Sequence, residues 1–585
     1  MRSRDFSAPP WFWIFLACLL LLLGANYLLY KSVDFDDNWI TYRYAKNLAA
    51  GQGFAFNPRD ARPTEGFTSL FHVLFTALGF RLGFEPLLFS QLASLLLLAS
   101  LPLLVFWNLR RHWKDAPLGA LIPLALYLPA KNTAWQVGTG METIFFAVGV
   151  LLLAMLAADA TTSDSPKLSA ALGLAGIALV LVRPEAGILF AGHLGLMALR
   201  GRRIGFLRSV VNLAAAGGTF FLGLGAYLIW KWRYFGFLLP NSYHVKTHGG
   251  VFGLPAESWP GLRHVIQFLV SYECGFPQAA ILVVILLLLR PRAVLEPARA
   301  MLAHQWVPTA LLLAYYTRII HESCQFRLEF MALLPLLGSA SVLIASPGAP
   351  PRGEADDSLR TLLFRMVGPL VAGFTLLMAE PWNLRHLPDA WRGQGASSGG
   401  ILFQIGEDLK RTGLGQDLVV MTGAVGVPAY VSDVTTLDFV GLTDEVFCGR
   451  GHRDVAAAER YYRSRHPDVI TVKWPPAQAA KKEEDPAFQA MLRSLRGKYP
   501  EGLMVRLFRS GAFLDFVHFV MRDLRDRYEL VAVYGDGPTM IYARRDSPKA
   551  AAVRRAFNAS PYVLRGIDPG AYVTMKAAVG ELDPY

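Results

Sequence analysis

Asp34-Phe35-Asp36-Asp37-Asn38-Trp39-Ile40-Thr41-Tyr42-Arg43-Tyr44-Ala45 is the stretch on which the reading of this 585-residue chain turns. It follows directly on the apolar run 11–30, so it sits at a membrane surface, yet it carries three carboxylates within four positions, Asp34, Asp36 and Asp37. Acids beside a bilayer need a reason. Adjacent carboxylates raise each other's proton affinity and attract metal, which suits Asp36 and Asp37 to general-base work on a sugar hydroxyl or to capture of a divalent cation. The ordinary alternative is a solvated cap at a helix start, where aspartate is frequent, and spacing alone leaves the two readings level.

Working outward, the run 11–30 is too long for the apolar core of a signal peptide and no small-x-small cleavage site follows it. With Arg2 and Arg4 ahead of it, it reads as an uncleaved first span entering from the cytoplasm, which puts the aspartate loop outside. Composition agrees with an integral membrane protein: 53% hydrophobic, 17% charged and a mean hydropathy of +0.33. Segment 66–84, interrupted by His72 and Arg81, reads as a helix lying on the outer surface, because counting it as a span would place Arg110-Arg111-His112-Trp113-Lys114 outside. Spans are then predicted at 86–109, 117–135, 143–158, 168–182, 186–199, 210–230, 278–289, 304–320, 330–344 and 362–378, about eleven with the first. The loops this makes cytoplasmic hold Arg200, Arg202, Arg203, Arg208, Arg290, Arg292, Arg299, Arg352 and Arg360. The net charge of +12 calls for no nucleic-acid partner, since membrane lipids with anionic head groups and a lipid phosphate account for it.

An odd number of spans leaves everything after about residue 380 on the outer face, with the aspartate loop. There, apolar β-type runs occur at 417–421, 436–440, 468–472, 529–534 and 538–543, the last two flanking Gly535-Asp536-Gly537 as a hairpin. A helix is expected around 484–495 and a loose tail over 560–585. The expected fold class is a polytopic α-helical membrane domain, 1–380 with outer loop 31–85, followed by a soluble extracytoplasmic α/β domain, 381–585.

Resemblance adds function. The run from Asp36 to Ala45, followed by Gly51-Gln52-Gly53-Phe54-Ala55-Phe56-Asn57-Pro58 and Glu65-Gly66-Phe67-Thr68-Ser69, resembles the first outer loop of the GT-C glycosyltransferases. Within that class it is most similar to the branch holding the actinobacterial cell-wall terminal arabinofuranosyltransferases. The resemblance implies a polyprenyl-phosphate sugar donor and a carboxylate of this loop as base, a role that falls on Asp36 and Asp37 as a pair, with Tyr42, Arg43 and Glu65 toward substrate. Some branches of the class use a divalent cation and others do not; the acid pair would hold it, as Mg or Mn.

Further motifs match the same branch. Gly138-Thr139-Gly140-Met141-Glu142 and Val182-Arg183-Pro184-Glu185 each open a helix, and Glu142 and Glu185 are substrate-side candidates against the alternatives of a helix cap and a partner for Arg183. Gly236-Phe237-Leu238-Leu239-Pro240-Asn241-Ser242-Tyr243-His244-Val245-Lys246 matches the family's Leu-Pro-Asn pattern ending in lysine. Asn241 is placed at the substrate, and His244 and Lys246 can meet a phosphate as it gains charge; a snorkelling surface lysine is the alternative. Arg327 is a second phosphate candidate. Members of the branch carry Gly-Gly-Asp where this chain has His321-Glu322-Ser323, so the acceptor and metal details of the branch do not carry over here; His321 and Glu322 stand as substrate-side candidates, and one His-Glu pair falls short of a metal site. In the outer domain, Gly423-Ala424-Val425-Gly426-Val427-Pro428 lacks the third glycine of a Rossmann loop and is similar to the family's Gly-Ala-x-Gly, as Asp438-Phe439-Val440-Gly441-Leu442 is to its Asp-x-x-Gly-Leu.

Of four cysteines, Cys18 lies in the first span and Cys274, Cys324 and Cys448 are expected outside; Cys274 with Cys324 is the candidate pair, although connectivity is not readable from sequence. No Cys-x-x-Cys or His-Glu-x-x-His occurs, which argues against a redox enzyme or zinc protease. The expected activity is inverting sugar transfer from a polyprenyl-phosphate donor to a glycan, lipid or protein acceptor at a bacterial inner membrane. Aminoarabinose- and mannose-type transferases of the class differ only in substrate. A transporter or flippase of lipid-linked sugars would instead show internal repeats and spans broken at mid-bilayer, and neither is evident.

Overall fold

A computed structural model describes residues 36–247, 262–346, 398–448, 455–473 and 520–563, apart from short interruptions at 128–129, 164, 271–275, 290–297, 320–328, 521–522, 525, 535–538 and 562, together with scattered positions between 14 and 28. The chain divides into two compact units: Met1–Val33, Thr68–Leu238 and Gly253–Gly395 form one, and Asp34–Phe67, Leu239–Phe252 and Ala396–Tyr585 the other.

The first unit is helical. Among the described residues three helices are long and apolar enough to cross a bilayer, Pro86–His112, Thr143–Ser163 and Phe206–Phe235. Shorter apolar helices are Leu70–Arg81, Pro166–Val182, Ala186–Arg200 and Phe330–Ala345. Local chemistry sets their ends. Glu85 accepts the amides of Leu87 (3.1 Å) and Leu88 (2.6 Å) and Pro86 takes the first helical position, while Arg110, Arg111 and His112 meet the carbonyl end of the same helix. Gly236, at φ 79°, closes helix Phe206–Phe235 in the left-handed conformation that side chains resist.

Helix Thr143–Ser163 runs through the middle of this unit, with Ile144, Phe146, Leu151 and Met155 all buried in one apolar cluster with Leu179, Phe190, Phe220 and Leu333. At Gly173 a Cβ would collide with the Thr219 hydroxyl and the Ala216 carbonyl, so only glycine lets helices Pro166–Val182 and Phe206–Phe235 approach this closely. Buried polar groups join further helices: His193 Nδ1 and His304 Nδ1 lie 3.0 Å apart, and His304 Nε2 is 3.0 Å from the Thr161 hydroxyl.

One expected span is not a single helix. Segment 117–135 is divided into a 3-10 turn, Leu118–Leu121, and helices Ile122–Tyr127 and Lys131–Gly138. Its prolines, Pro117, Pro123 and Pro129, each lack an amide donor, which explains why a continuous ladder does not form. The expected span 362–378, the helix at 484–495 and most of the tail 560–585 lie outside the described residues, as does most of the first span.

The second unit is built on a five-stranded mixed sheet, β1 (Val419–Thr422), β2 (Thr435–Asp438), β3 (Val469–Lys473), β4 (Tyr528–Tyr534) and β5 (Thr539–Arg544), in the order β2-β1-β3-β5-β4. β1 pairs parallel with β2 (Val419 opposite Thr435) and with β3, whereas β5 runs antiparallel to both β3 and β4. Parallel neighbours need a crossover, and helix Gly426–Ser432 supplies it between β1 and β2. Met421, Leu437, Phe439, Ile470 and Tyr528 form the core on this sheet. Buried Asp468 ties its ends, accepting from the Val419 amide at 3.0 Å, Ser547 at 2.7 Å and Lys549 at 2.8 Å.

Residues 34–67 belong to this unit. β2 is an edge strand, and Asn57 covers it as a neighbouring strand would: its side-chain amide donates to the Thr436 carbonyl at 2.9 Å and its oxygen accepts the Thr436 amide at 3.0 Å. Asp60 pairs with Arg465 at 2.8 Å, and Arg59 pairs with Asp417.

Candidate functional site

Asp36 and Asp37 form the first turn of helix Asp36–Ala49, where carboxylates suit the positive end of the helix dipole. They differ sharply in surroundings. Half-buried Asp36 accepts the Val427 amide on Oδ1 at 2.8 Å and the Gly426 amide on Oδ2 at 3.1 Å; Asp37 is exposed. Loss of water around Asp36 pushes its carboxyl up to about 7, with Asp37 and Asp438 adding to the rise and the two amides opposing it. Asp438, at the end of β2, is also pushed up, to about 6, by burial, against bonds from the Val440 amide at 2.9 Å and the Thr443 amide at 2.7 Å.

Tyr42 and Arg43, expected toward substrate, are buried inside this unit. The Tyr42 hydroxyl accepts from Asn38 at 2.7 Å. Arg43 directs its guanidinium at backbone: Nε to the Phe56 carbonyl at 2.7 Å, Nη2 to the Val434 carbonyl at 2.6 Å and Nη1 to the Ala429 carbonyl, with the Phe56 ring 4.7 Å beneath it. These contacts make it a brace between the aspartate loop and the crossover helix.

Glu65 and Asn241 come together, the Asn241 amide donating to the Glu65 carbonyl at 3.1 Å, and both residues are buried. The Leu-Pro-Asn motif therefore meets the Glu-Gly-Phe motif through backbone. His244 and Lys246 follow on helix Asn241–Thr247. Arg327, His321 and Glu322 lie outside the described residues, as do Cys274 and Cys324; Cys448 is buried.

In the first unit, Glu142 and Glu185 converge on Arg183, whose Nη1 donates to Glu142 and whose Nη2 donates to Glu185 at 3.0 Å. His72 Nδ1 lies 3.8 Å from the second oxygen of Glu142, and its Nε2 is 3.3 Å from the Ser90 hydroxyl. Glu185 and Glu142 thus both pair with Arg183.

Both oxygens of Asp36 accept amide protons, and among the described residues no group of three or more His, Cys, Asp or Glu is placed to hold a metal.

Residues that sequence reasoning passed over are His72, Asn57, Asp438 and the amides of Gly426 and Val427. The signal for Asp438 was its place in Asp-x-x-Gly-Leu, and for Asn57 its place before Pro58 in a matched motif. The pairing of Asp36 with Gly426, 390 residues away, leaves no local mark in sequence.

No family model matches the chain, and no curated protein matches it. Solved structures do. ArnT from Cupriavidus metallidurans bound to undecaprenyl phosphate has a TM-score of 0.54 at 14% identity, covering 92% of this chain and 99% of that one. Its apo state gives 0.50 at 14%, covering 93% and 98%. At this identity the likeness is one of fold.

Proposed function

We propose that this chain is a GT-C membrane glycosyltransferase that moves a sugar, a pentose such as arabinofuranose or a hexose, from a polyprenyl-phosphate donor to a glycan, lipid or protein acceptor of the cell envelope. The observation that carries this reading is the fold shared over 92% of the chain with ArnT from Cupriavidus metallidurans, solved bound to undecaprenyl phosphate. The charged groups support it from the side of chemistry. The proposed setting is a bacterial inner membrane, with the amino terminus cytoplasmic and residues 381–585 outside.

In the proposed reaction the acceptor hydroxyl oxygen attacks the anomeric carbon opposite the phosphate. The bond from that carbon to the phosphate oxygen breaks, its electron pair leaves on the lipid phosphate, and configuration inverts. The hydroxyl proton passes to a carboxylate of the Asp36–Asp37 pair. Lys246, His244 and Arg327 are proposed to meet the charge growing on the departing phosphate. Glu142 and Glu185, fixed by Arg183, are proposed to hold sugar hydroxyls, since carboxylates locked by a guanidinium cannot swing away from a ligand. His321 and Glu322 are proposed on the acceptor side, and Tyr42, Arg43, Glu65 and Asn241 shape the loop from within.

The test is made in proteoliposomes with polyprenyl-phosphate pentoses and hexoses labelled in the sugar. Transfer releases free lipid phosphate as the label leaves the lipid. A flippase would move the intact donor across the bilayer with the glycosyl-phosphate bond unbroken, and that result would contradict the reading.

A further inference from the structure

One face of helix Asp36–Ala49 lies along helix Gly426–Ser432 from its first residue to just past its last. The contacts fall at Asp36, Trp39, Arg43 and Lys46, steps of three and four that mark one side of a helix. Asp36 holds the Gly426 and Val427 amides, and Trp39 lies 4.8 Å from the Tyr430 ring. Arg43 donates to the Ala429 carbonyl, and Lys46 reaches Asp433 at 2.7 Å. The fit is close at the acid end, where a Cβ on Gly426 would collide with the Asp36 carbonyl oxygen. Asp37 projects away from this face and is exposed.

We propose that the acid pair divides its labour: Asp36 is a positioning residue, docked on the Gly426 and Val427 amides, and Asp37 is the base that this docking aims at the acceptor hydroxyl. The assignment rests on the transferase reading. Both oxygens of Asp36 face amide donors, whereas a base must present a lone pair to an incoming hydroxyl, and Asp37 keeps its carboxylate open. The hydroxyl proton ends on Asp37 as the bond to phosphate breaks. The Gly-Ala-x-Gly turn thereby becomes part of the catalytic apparatus without touching substrate.

The experiment compares Asp36→Asn, Asp36→Ala, Asp37→Asn and Gly426→Ala in the full chain in lipid nanodiscs. Two readouts are used: release of lipid phosphate from polyprenyl-phosphate pentoses and hexoses, and hydrogen exchange at 424–430. Asparagine keeps one acceptor for the socket, so Asp36→Asn should retain slow exchange and lose no more than about tenfold in kcat, one hydrogen bond's worth. Asp36→Ala and Gly426→Ala should speed exchange and lower kcat further with KM little changed. Asp37→Asn should leave exchange as in wild type and cost at least about 100-fold in kcat, the contribution of a general base. Loss of turnover in Asp36→Asn with exchange unchanged would make Asp36 the base and overturn the proposal, as would Asp37→Asn turning over within tenfold of wild type. A wild type inert on every donor would overturn the transferase reading and the base assignment with it, while exchange in Asp36→Ala still decides the docking.

Discussion

Asp36 Oδ1 stands 2.8 Å from the amide nitrogen of Val427, although 391 residues separate them in the chain. A carboxylate at the start of one helix thus closes the start of another, and residues 34–67 and the carboxy-terminal sheet belong to one unit.

This relationship sets a pH dependence. Asp36 titrates near 3.8 when unfolded and about 7 when folded, so between these values the folded state binds more protons. The sign follows: the contribution of Asp36 to stability is greatest below about pH 4, falls as pH rises toward 7, and is flat above. Asp438 and Asp444, raised by burial to about 6 and about 7, act in the same direction. Thermal unfolding between pH 4 and 8 should show this decline, and Asp36→Asn should make it shallower without removing it.

Arg43 is predicted to matter for stability more than for binding. Arg43→Ala would leave the Phe56, Ala429 and Val434 carbonyls without their donor, at a cost of roughly 3 kcal/mol or more. Arg43→Lys should recover little, because a point charge cannot span three carbonyls as the planar guanidinium does. Unfolding midpoints and limited proteolysis of 398–448 check this.

Arg183 holds two carboxylates in a buried setting, so Arg183→Leu leaves two charges uncompensated and should destabilise by about 3–5 kcal/mol. Glu142→Gln keeps a hydrogen-bond acceptor and leaves Arg183 paired with Glu185, so it should cost about 1–2 kcal/mol. A double-mutant cycle between positions 142 and 183 in detergent measures their coupling.

Gly173→Ala should destabilise the first unit by about 1–3 kcal/mol through overpacking against Thr219 and Ala216. Gly187→Ala, where an added Cβ meets nothing within 4 Å, serves as the matched control and should be neutral or better. Melting temperatures of the two variants make the comparison.

Much of the fold was legible because its signals are local. All five strands appeared as short apolar runs bounded by turn residues, and helices such as Pro86–His112 announced themselves by length, hydropathy and a basic end. Segment 117–135 misled because its average hydropathy is that of a span while its backbone divides into a 3-10 turn and two short helices. The site was legible only as a roster of residue types. Arg43 is a polar residue in a matched motif, and sequence does not distinguish a side chain reserved for a ligand from one engaged by the Val434 carbonyl. That distinction depends on contacts made across hundreds of residues.

The most direct test of the central claim is a single-turnover assay of purified protein in lipid with a sugar-labelled polyprenyl-phosphate donor, wild type beside the double variant Asp36→Asn/Asp37→Asn. The account predicts release of lipid phosphate and an inverted product with wild type, and none with the folded, membrane-inserted double variant. Equal turnover by the two would contradict it.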